Sequence, residues 1–273
     1  MTGTNGNPTA IGVTGCTGRM GRMLLAEIAG TEGCMLAGGT EAPGSRFAGQ
    51  DLGEFVPGGH GPIGTDAAAL FATAQAVIDF TTPAATAAHA DLAAKHGRVL
   101  VVGTTGLGPS EEAALRAAAT KVPVVWAANM SLGVTLLGAL VREAASKLGI
   151  EYDIEIVEMH HRAKVDAPSG TALALGRAAA LGRGVDLDAV SQRVRDGHTG
   201  ARNPGDIGFA TLRGGDVVGD HMVIFAGPGE RLEIGHRASN RQIFARGAVR
   251  AALWAVGQPP GLYDMKDVLG LSS

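Results

Sequence analysis

Hydrophobic positions along this chain follow two successive patterns. In the first half, short and nearly continuous apolar runs alternate with segments whose apolar residues recur at helical spacing. "AIGVTG" breaks at glycine before the helical "RMGRMLLAEIAG", "CMLAGGTE" ends at Glu41, and "QAVIDFTTP" is stopped by Pro83. "AATAAHADLAAKHG" reads as a helix. "RVLVVGTTG" and "VPVVWAAN" repeat the strand pattern around "PSEEAALRAAATK", where Ser110 is the expected N-cap with glutamates in the first turn. Such alternation predicts a parallel sheet covered by helices on both faces. In the second half, "EYDIEIVEMHH" alternates polar and apolar through Tyr152, Ile154 and Ile156, which predicts a strand with one solvated or ligand-facing side. "SGTALALGRAAALG" predicts a helix, and "GDIGFATLRGGDVVGDHMVIFAGPGERLEIGHRAS" short strands with glycine turns, as in a mixed or antiparallel sheet. "RQIFARGAVRAALWAVG" closes the pattern as an amphipathic helix.

Parallel sheets bind ligands beyond the carboxyl ends of their strands. At those ends lie residues 15–21, Glu41, Thr81 and Thr82, Gly103, Thr104 and Thr105, and Asn129 and Met130. "GVTGCTGRMG" holds a G-x-x-G-x-x-G run of Gly15, Gly18 and Gly21, and departs from G-x-G-x-x-G because Thr17 stands at the second glycine's place. A tight turn alone would also use these glycines. The context points to a dinucleotide, because the run follows a strand, opens a helix able to hold a pyrophosphate, and precedes an acidic residue by about 20 positions. That residue, Glu41, suits the hydroxyls of an adenosine ribose and disfavours a 2'-phosphate, whereas Arg19 at the helix start could pair with one. These residues leave NAD and NADP both open. The fold class is α/β, with a Rossmann-like parallel-sheet nucleotide domain and a second α+β domain.

Chemistry concentrates in "EIVEMHHRAKVDAPSGTA", residues 155–172. His160 and His161 end the predicted strand, Lys164 follows in a loop, and Pro168 precedes a helix start at Ser169, Gly170 and Thr171. Small residues at a helix start, where backbone N–H groups point along the axis toward the helix's N-terminal end, suit a substrate carboxylate. Lys164 adds positive charge, and a histidine is the side chain best matched to proton transfer at neutral pH. Each feature alone is ordinary loop chemistry; their clustering favours a proton-handling site for an anionic substrate. A zinc site on the two histidines is disfavoured, since neighbouring strand residues face opposite ways.

Composition narrows the partners. The 273 residues carry 18% charged side chains and a net charge of -3, which offers no field for nucleic acid. "MTGTNGNPTA" lacks the charged and apolar regions of a secretory leader, and no apolar run approaches the roughly 20 residues of a membrane span, so no membrane role and a cytoplasmic location are expected. The two cysteines are expected to be reduced.

The string "EIVEMHHRAKVDAPSGTALALG" resembles the signature of the 4-hydroxy-tetrahydrodipicolinate reductase family, also called dihydrodipicolinate reductase. "GCTGRMGR", "VIDFTTP", "VVGTTG", "AANMSLGV", "RDGHTGARNPGDIGFATLRGGDVVGDH" and the closing "GAVRAALW" and "GLYDMKDVLG" resemble it in order over nearly the whole chain. The resemblance implies reduction of 4-hydroxy-tetrahydrodipicolinate, via dihydrodipicolinate, to tetrahydrodipicolinate by NADH and/or NADPH, in the diaminopimelate route to lysine. It makes His160 the general acid, and has Lys164 assist protonation and bind the substrate. His161 would contact the substrate, with Gly170 and Thr171 holding a carboxylate beside Ser169. Gly15, Cys16, Thr17, Gly18, Arg19, Met20, Glu41, Gly103, Thr104, Thr105, Ala127, Ala128, Asn129 and Met130 match the family's cofactor segments. Members that use NADP well often have arginine directly after the acidic residue; this chain has Ala42, so NADH is expected to serve at least as well as NADPH. The family further implies a homotetramer formed through the second domain's sheet, with the C-terminal stretch returning to the nucleotide domain. The expected domains are residues 1–132 with 241–273 for the dinucleotide, and 133–240 for substrate and oligomerisation. Two chain crossings, near 131–134 and 239–241, suggest a hinge that closes on the two ligands. Competing readings are another amino-acid-pathway dehydrogenase, such as one for homoserine or aspartate, and a nucleotide sensor that would need neither His160 nor Lys164.

Overall fold

A computed structural model describes residues 7–271. Much of the polar leader considered above, residues 1–6, lies outside the described residues, as do 272–273. The chain runs β1 (Thr9–Thr14), α1 (Arg19–Gly30), β2 (Cys34–Thr40), α2 (Ala67–Thr73), β3 (Ala76–Asp79), α3 (Pro83–His96), β4 (Val99–Val102), α4 (Pro109–Ala119) and β5 (Pro123–Trp126). It continues through α5 (Leu132–Lys147), β6 (Asp153–His160), α6 (Gly170–Arg183), α7 (Leu187–Val190), β7 (Ser191–Gln192), β8 (Ile207–Arg213), β9 (Gly219–Gly227) and β10 (Glu230–Ala238). Then α8 (Gln242–Ala255), β11 (Gly261–Tyr263) and α9 (Met265–Leu269) complete it. Two compact units result, one of Met1–Leu132 with Gln242–Ser273, the other Gly133–Arg241.

The first unit is a six-stranded sheet in the order β11-β5-β4-β3-β1-β2. Every neighbouring pair is parallel. Its strands are apolar throughout because helices cover both faces, with Ile11, Val13, Val77, Ile78, Leu100 and Val101 fully buried. Leu24, Leu25 and Ile28 of α1 share one core with Ala248, Ala251 and Ala252 of α8. Phe71, Ala90, Ala93 and Leu115 of α2, α3 and α4 form the other. β1 has β2 on one side and β3 on the other, so the strand order reverses beside it, the place at which open α/β sheets bind their ligands. The N-cap of α4 is Gly108 rather than Ser110. Pro109, whose ring suits the first helical position, fixes the start two residues earlier, and the Glu111 carboxylate accepts the Gly108 N–H at 2.8 Å.

The second unit carries a five-stranded mixed sheet, β10-β9-β6-β8-β7. β6 runs parallel to β8 and antiparallel to β9. Its inner face holds Ile154, Ile156, Phe209, Val223 and Phe225 in one core with Leu137, Val141, Leu175 and Ala179 of α5 and α6. Gly176 lets α6 lie close to the sheet, since a Cβ there would sit 2.5 Å from the Phe209 ring. β6 alternates as expected, with one buried and one half-buried face. Burial alternates so that Glu158 and His160 share the buried face with Ile154 and Ile156. A strand's period of two puts all four even-numbered residues on one side, so Glu158 and His160 continue the core stripe.

Candidate active site

In the first unit the turn after β1 is built for close approach. Gly15 has φ +64, a left-handed conformation that suits glycine. A Cβ on Gly21 would lie 2.2 Å from the Gly15 carbonyl oxygen, so α1 meets the turn only because Gly21 has no side chain. The N-cap of α1 is Gly18, whose lack of a side chain leaves the helix's first N–H groups without a side-chain cap. Gly18 and Arg19 are exposed. Anion affinity is visible in the turn itself, since the Thr17 N–H and hydroxyl both donate to Glu41 Oε1 at 2.7 Å. Glu41 thus stands at the rim of the turn, bonded to it through Oε1. Cys16 is buried beneath, and burial, helped by Glu41, pushes its thiol up to about 12, so it packs as a small apolar group. Arg22 donates to the Thr17 carbonyl at 2.9 Å and lies over the Phe55 ring.

The other segments expected to meet the cofactor follow β3, β4 and β5 at the carboxyl ends of the same sheet. Gly103 packs where a Cβ would overlap the Phe80 ring at 2.2 Å. Thr104 is buried and Thr105 exposed. Ala127 and Asn129 are half-buried, Ala128 is exposed and Met130 buried, and Asn129 Oδ1 accepts the Ser131 N–H at 2.9 Å. α8 presses on this segment, since a Cβ on Gly247 would lie 1.7 Å from the Met130 carbonyl oxygen. Sequence reasoning missed the support underneath. Asp79, fully buried at the end of β3, accepts from Thr14 Oγ1 (3.2 Å), the Thr81 N–H (3.0 Å) and Thr81 Oγ1, and pairs with His89 Nδ1 of α3 at 3.2 Å. Thr104 Oγ1 accepts from the Thr81 N–H and the Thr86 hydroxyl. Burial alone would raise the Asp79 carboxyl; His89 and the hydroxyls outweigh that and hold it below the usual range.

In the second unit the site occupies one end of the inner sheet face. His160, the last residue of β6, is 9% exposed, and its Nδ1 lies 2.6 Å from Glu158 Oε2. Arg213, at the end of β8, grips both Glu158 oxygens at 2.9 and 3.0 Å and donates to the Asp166 carbonyl at 2.7 Å. Glu158 Oε1 also accepts the Ser169 N–H at 3.0 Å. Ser169 caps α6, its hydroxyl accepting the Ala172 N–H at 3.1 Å and facing His221 Nε2 at 3.1 Å. The hydroxyl therefore serves the helix and His221, while Gly170 is exposed and Thr171 half-buried at the helix start. His221 of β9 stacks edge-on against His160 with ring centres 5.1 Å apart, and burial pushes its imidazole down to about 4. His161 lies just past the strand, its N–H bound to the Val217 carbonyl at 2.7 Å. Lys164 Nζ pairs with Asp166 at 2.8 Å, which lowers the Asp166 carboxyl. His160 and Ser169 are thus joined through one carboxylate, whereas Lys164 is anchored within its own loop. Glu158, Arg213 and His221 were not singled out from sequence. Among the described residues, no group of three or more His, Cys, Asp or Glu side chains is arranged to hold a metal ion.

Comparison with known proteins decides the family. The model "Dihydrodipicolinate reductase, N-terminus" matches residues 9–130, and "Dihydrodipicolinate reductase, C-terminus" matches residues 133–269. The chain belongs to the dihydrodipicolinate reductase family. The chain is 57% identical over 262 residues to the 4-hydroxy-tetrahydrodipicolinate reductase of Rhodopseudomonas palustris (strain HaA2), covering 95% of this chain and 97% of the relative. With the enzyme of that name from Parvibaculum lavamentivorans the identity is 58% over 263 residues, covering 95% and 97%. The fold is that of the dipicolinate-bound dihydrodipicolinate reductase from Paenisporosarcina sp. TG-14, with TM-score 0.73 and 23% identity over 94% of this chain and 97% of that one. Dihydrodipicolinate reductases are NAD(P)H-dependent oxidoreductases, and the turn at Gly15, Gly18 and Gly21 fits a nucleotide: its glycines allow close backbone approach, it heads a helix and it already holds a carboxylate oxygen on Thr17.

Proposed function

We propose that this chain reduces 4-hydroxy-tetrahydrodipicolinate, via dihydrodipicolinate, to tetrahydrodipicolinate in the diaminopimelate route to lysine, using NADH at least as well as NADPH. The observation that carries the reading is the buried His160, hydrogen-bonded through Glu158 to the start of α6. A bound nicotinamide supplies the hydride. What remains for the chain's own residues is to seat an anionic substrate and to deliver a proton to the site where negative charge develops. His160, donating Nδ1–H to Glu158, presents Nε2 as the acid. The N–H groups at Gly170 and Thr171 and the ammonium of Lys164 offer seats for carboxylate, with His161 flanking the same loop. Thr17, Glu41, Thr104, Asn129 and their neighbours would hold the cofactor, with Glu41 and Ala42 leaving a 2'-phosphate beside a negative charge and without a following arginine. A homotetramer in the cytoplasm completes the reading. Its support is the outer face of the mixed sheet, where Val157, Met159, Leu212 and Met222 line a groove of about 400 Å³ and Leu212 is 50% exposed. Among the described residues, no helix is long and apolar enough to cross a membrane.

The test is oxidation of NADH and of NADPH with enzymatically generated 4-hydroxy-tetrahydrodipicolinate, beside homoserine and aspartate as controls. Turnover confined to the heterocycle, with kcat/KM for NADH equal to or above that for NADPH, is expected. Turnover of a control in its place would assign the chain another substrate.

A further inference from the structure

The proton donor is held by a single carboxylate that also holds the substrate-facing helix. We infer that Glu158 is a positioning residue, fixing both the tautomer of His160 and the distance from His160 to the start of α6. The inference rests on the reading of His160 as the acid. Three observations carry it. Glu158 is 1% exposed, yet neither of its oxygens is spare: Oε2 meets His160 Nδ1 and one Arg213 nitrogen, and Oε1 meets the other Arg213 nitrogen and the Ser169 N–H. A buried charge survives only when paired and hydrogen-bonded, and Arg213 supplies the pairing. Finally, the two oxygens are divided between functions, one toward the acid and one toward the cap of the helix at which the substrate carboxylate would sit.

The tautomer follows from valence. Burial acts to raise the Glu158 carboxyl, but Arg213, His160 and the Ser169 N–H together hold it below the usual range, so it is ionised. An ionised carboxylate only accepts, and His160 Nδ1 must therefore be the donor. Nε2 is left as the nitrogen that takes up, and gives away, the proton that makes the ring an imidazolium. That nitrogen faces Gly219, where a Cβ would come within 3.0 Å. The arrangement parallels a carboxylate orienting a catalytic imidazole, in which loss of the charge with the shape retained lowers turnover by leaving the wrong tautomer. Here the same carboxylate also sets where α6 begins, so acid and carboxylate seat cannot drift apart independently.

Glu158→Gln keeps the shape and removes the charge. Its kcat is expected to fall about 100-fold, with KM within about threefold and the Kd for NADH unchanged; Glu158→Asp, which keeps the charge, should recover part of kcat. The readout that a merely structural role would not move is the ¹⁵N spectrum of histidine-labelled protein above neutral pH, with the His160 signals assigned by their loss in His160→Gln. Wild type should show a protonated Nδ1 and a bare Nε2, and Glu158→Gln a mixture or the reverse. Wild-type His160 protonated on Nε2 instead would overturn the inference, as would a Glu158→Gln enzyme of unchanged kcat, or one impaired with the tautomer unaltered. Should Glu158→Gln not fold, or should wild type turn over no substrate, the wild-type spectrum alone decides between these outcomes.

Discussion

Gly219 contributes by what it leaves out. A methyl group there would lie 3.0 Å from His160 Nε2, closer than such a contact tolerates without movement, and in ordinary contact with the His221 ring at 3.6 Å. Gly219→Ala is therefore expected to cost about tenfold in kcat, roughly 1.4 kcal/mol of barrier, with the melting temperature little changed; steady-state kinetics beside a thermal melt checks this, and full turnover would contradict it. His221 couples the same corner to acid stability. Its imidazole is pushed down to about 4 by burial, with His160 and His236 adding to the effect, Lys164 contributing less, and Glu158 opposing it. An unfolded histidine titrates near ~6.5, so between the two values the unfolded chain takes up a proton that the native state refuses. Stability is complete above pH ~6.5 and lost as pH falls through 4, by on the order of 3 kcal/mol in all. Urea titrations at several pH values should show this slope in wild type and a flatter one in His221→Asn; parallel slopes would assign the acid sensitivity elsewhere.

Between elements, Asp79 ties together the carboxyl ends of the parallel strands, as Glu158 ties His160 to the start of α6. It joins the end of β3 to β1 through Thr14, to α3 through His89 and, through Thr81 and Thr104, to the segment after β4. Asp79→Asn is expected to weaken NADH binding about tenfold, since one or two hydrogen bonds of ~1 kcal/mol each are lost; fluorescence titration measures it, and an unchanged Kd would show that the loops are set without it. Period and punctuation made the longer elements legible. The parallel strands are apolar because both faces are covered, and Pro83 and Gly97 mark the limits of α3. Short elements such as β11 and α9 carry too few residues for a period to emerge. The Ser110 expectation erred because it took the best capping side chain and ignored that Pro109 prefers the first helical position. For Glu158, which was not singled out, a signal was present, since it and His160 share parity with Ile154 and Ile156. Arg213, His221 and Gly247 had no such signal; only strand register and helix packing bring them to residues far away in sequence.

For the whole molecule, the mixed sheet leaves Val157, Met159 and Met222 half-buried and Leu212 exposed on its outer face, a surface that a second copy would cover. Sedimentation of wild type is expected to give a tetramer, and Leu212→Lys combined with Met222→Lys a smaller species; a wild-type monomer would contradict this. The central claim is that a chain of this family hands a proton from His160 to a reduced heterocycle. It is tested most directly by comparing wild type with His160→Gln for NADH oxidation on 4-hydroxy-tetrahydrodipicolinate while measuring the Kd for NADH of both. The account predicts that turnover collapses in the variant and the Kd is retained. A variant that turns over as wild type does would remove His160 from the chemistry and leave the chain's proton donor to be found elsewhere.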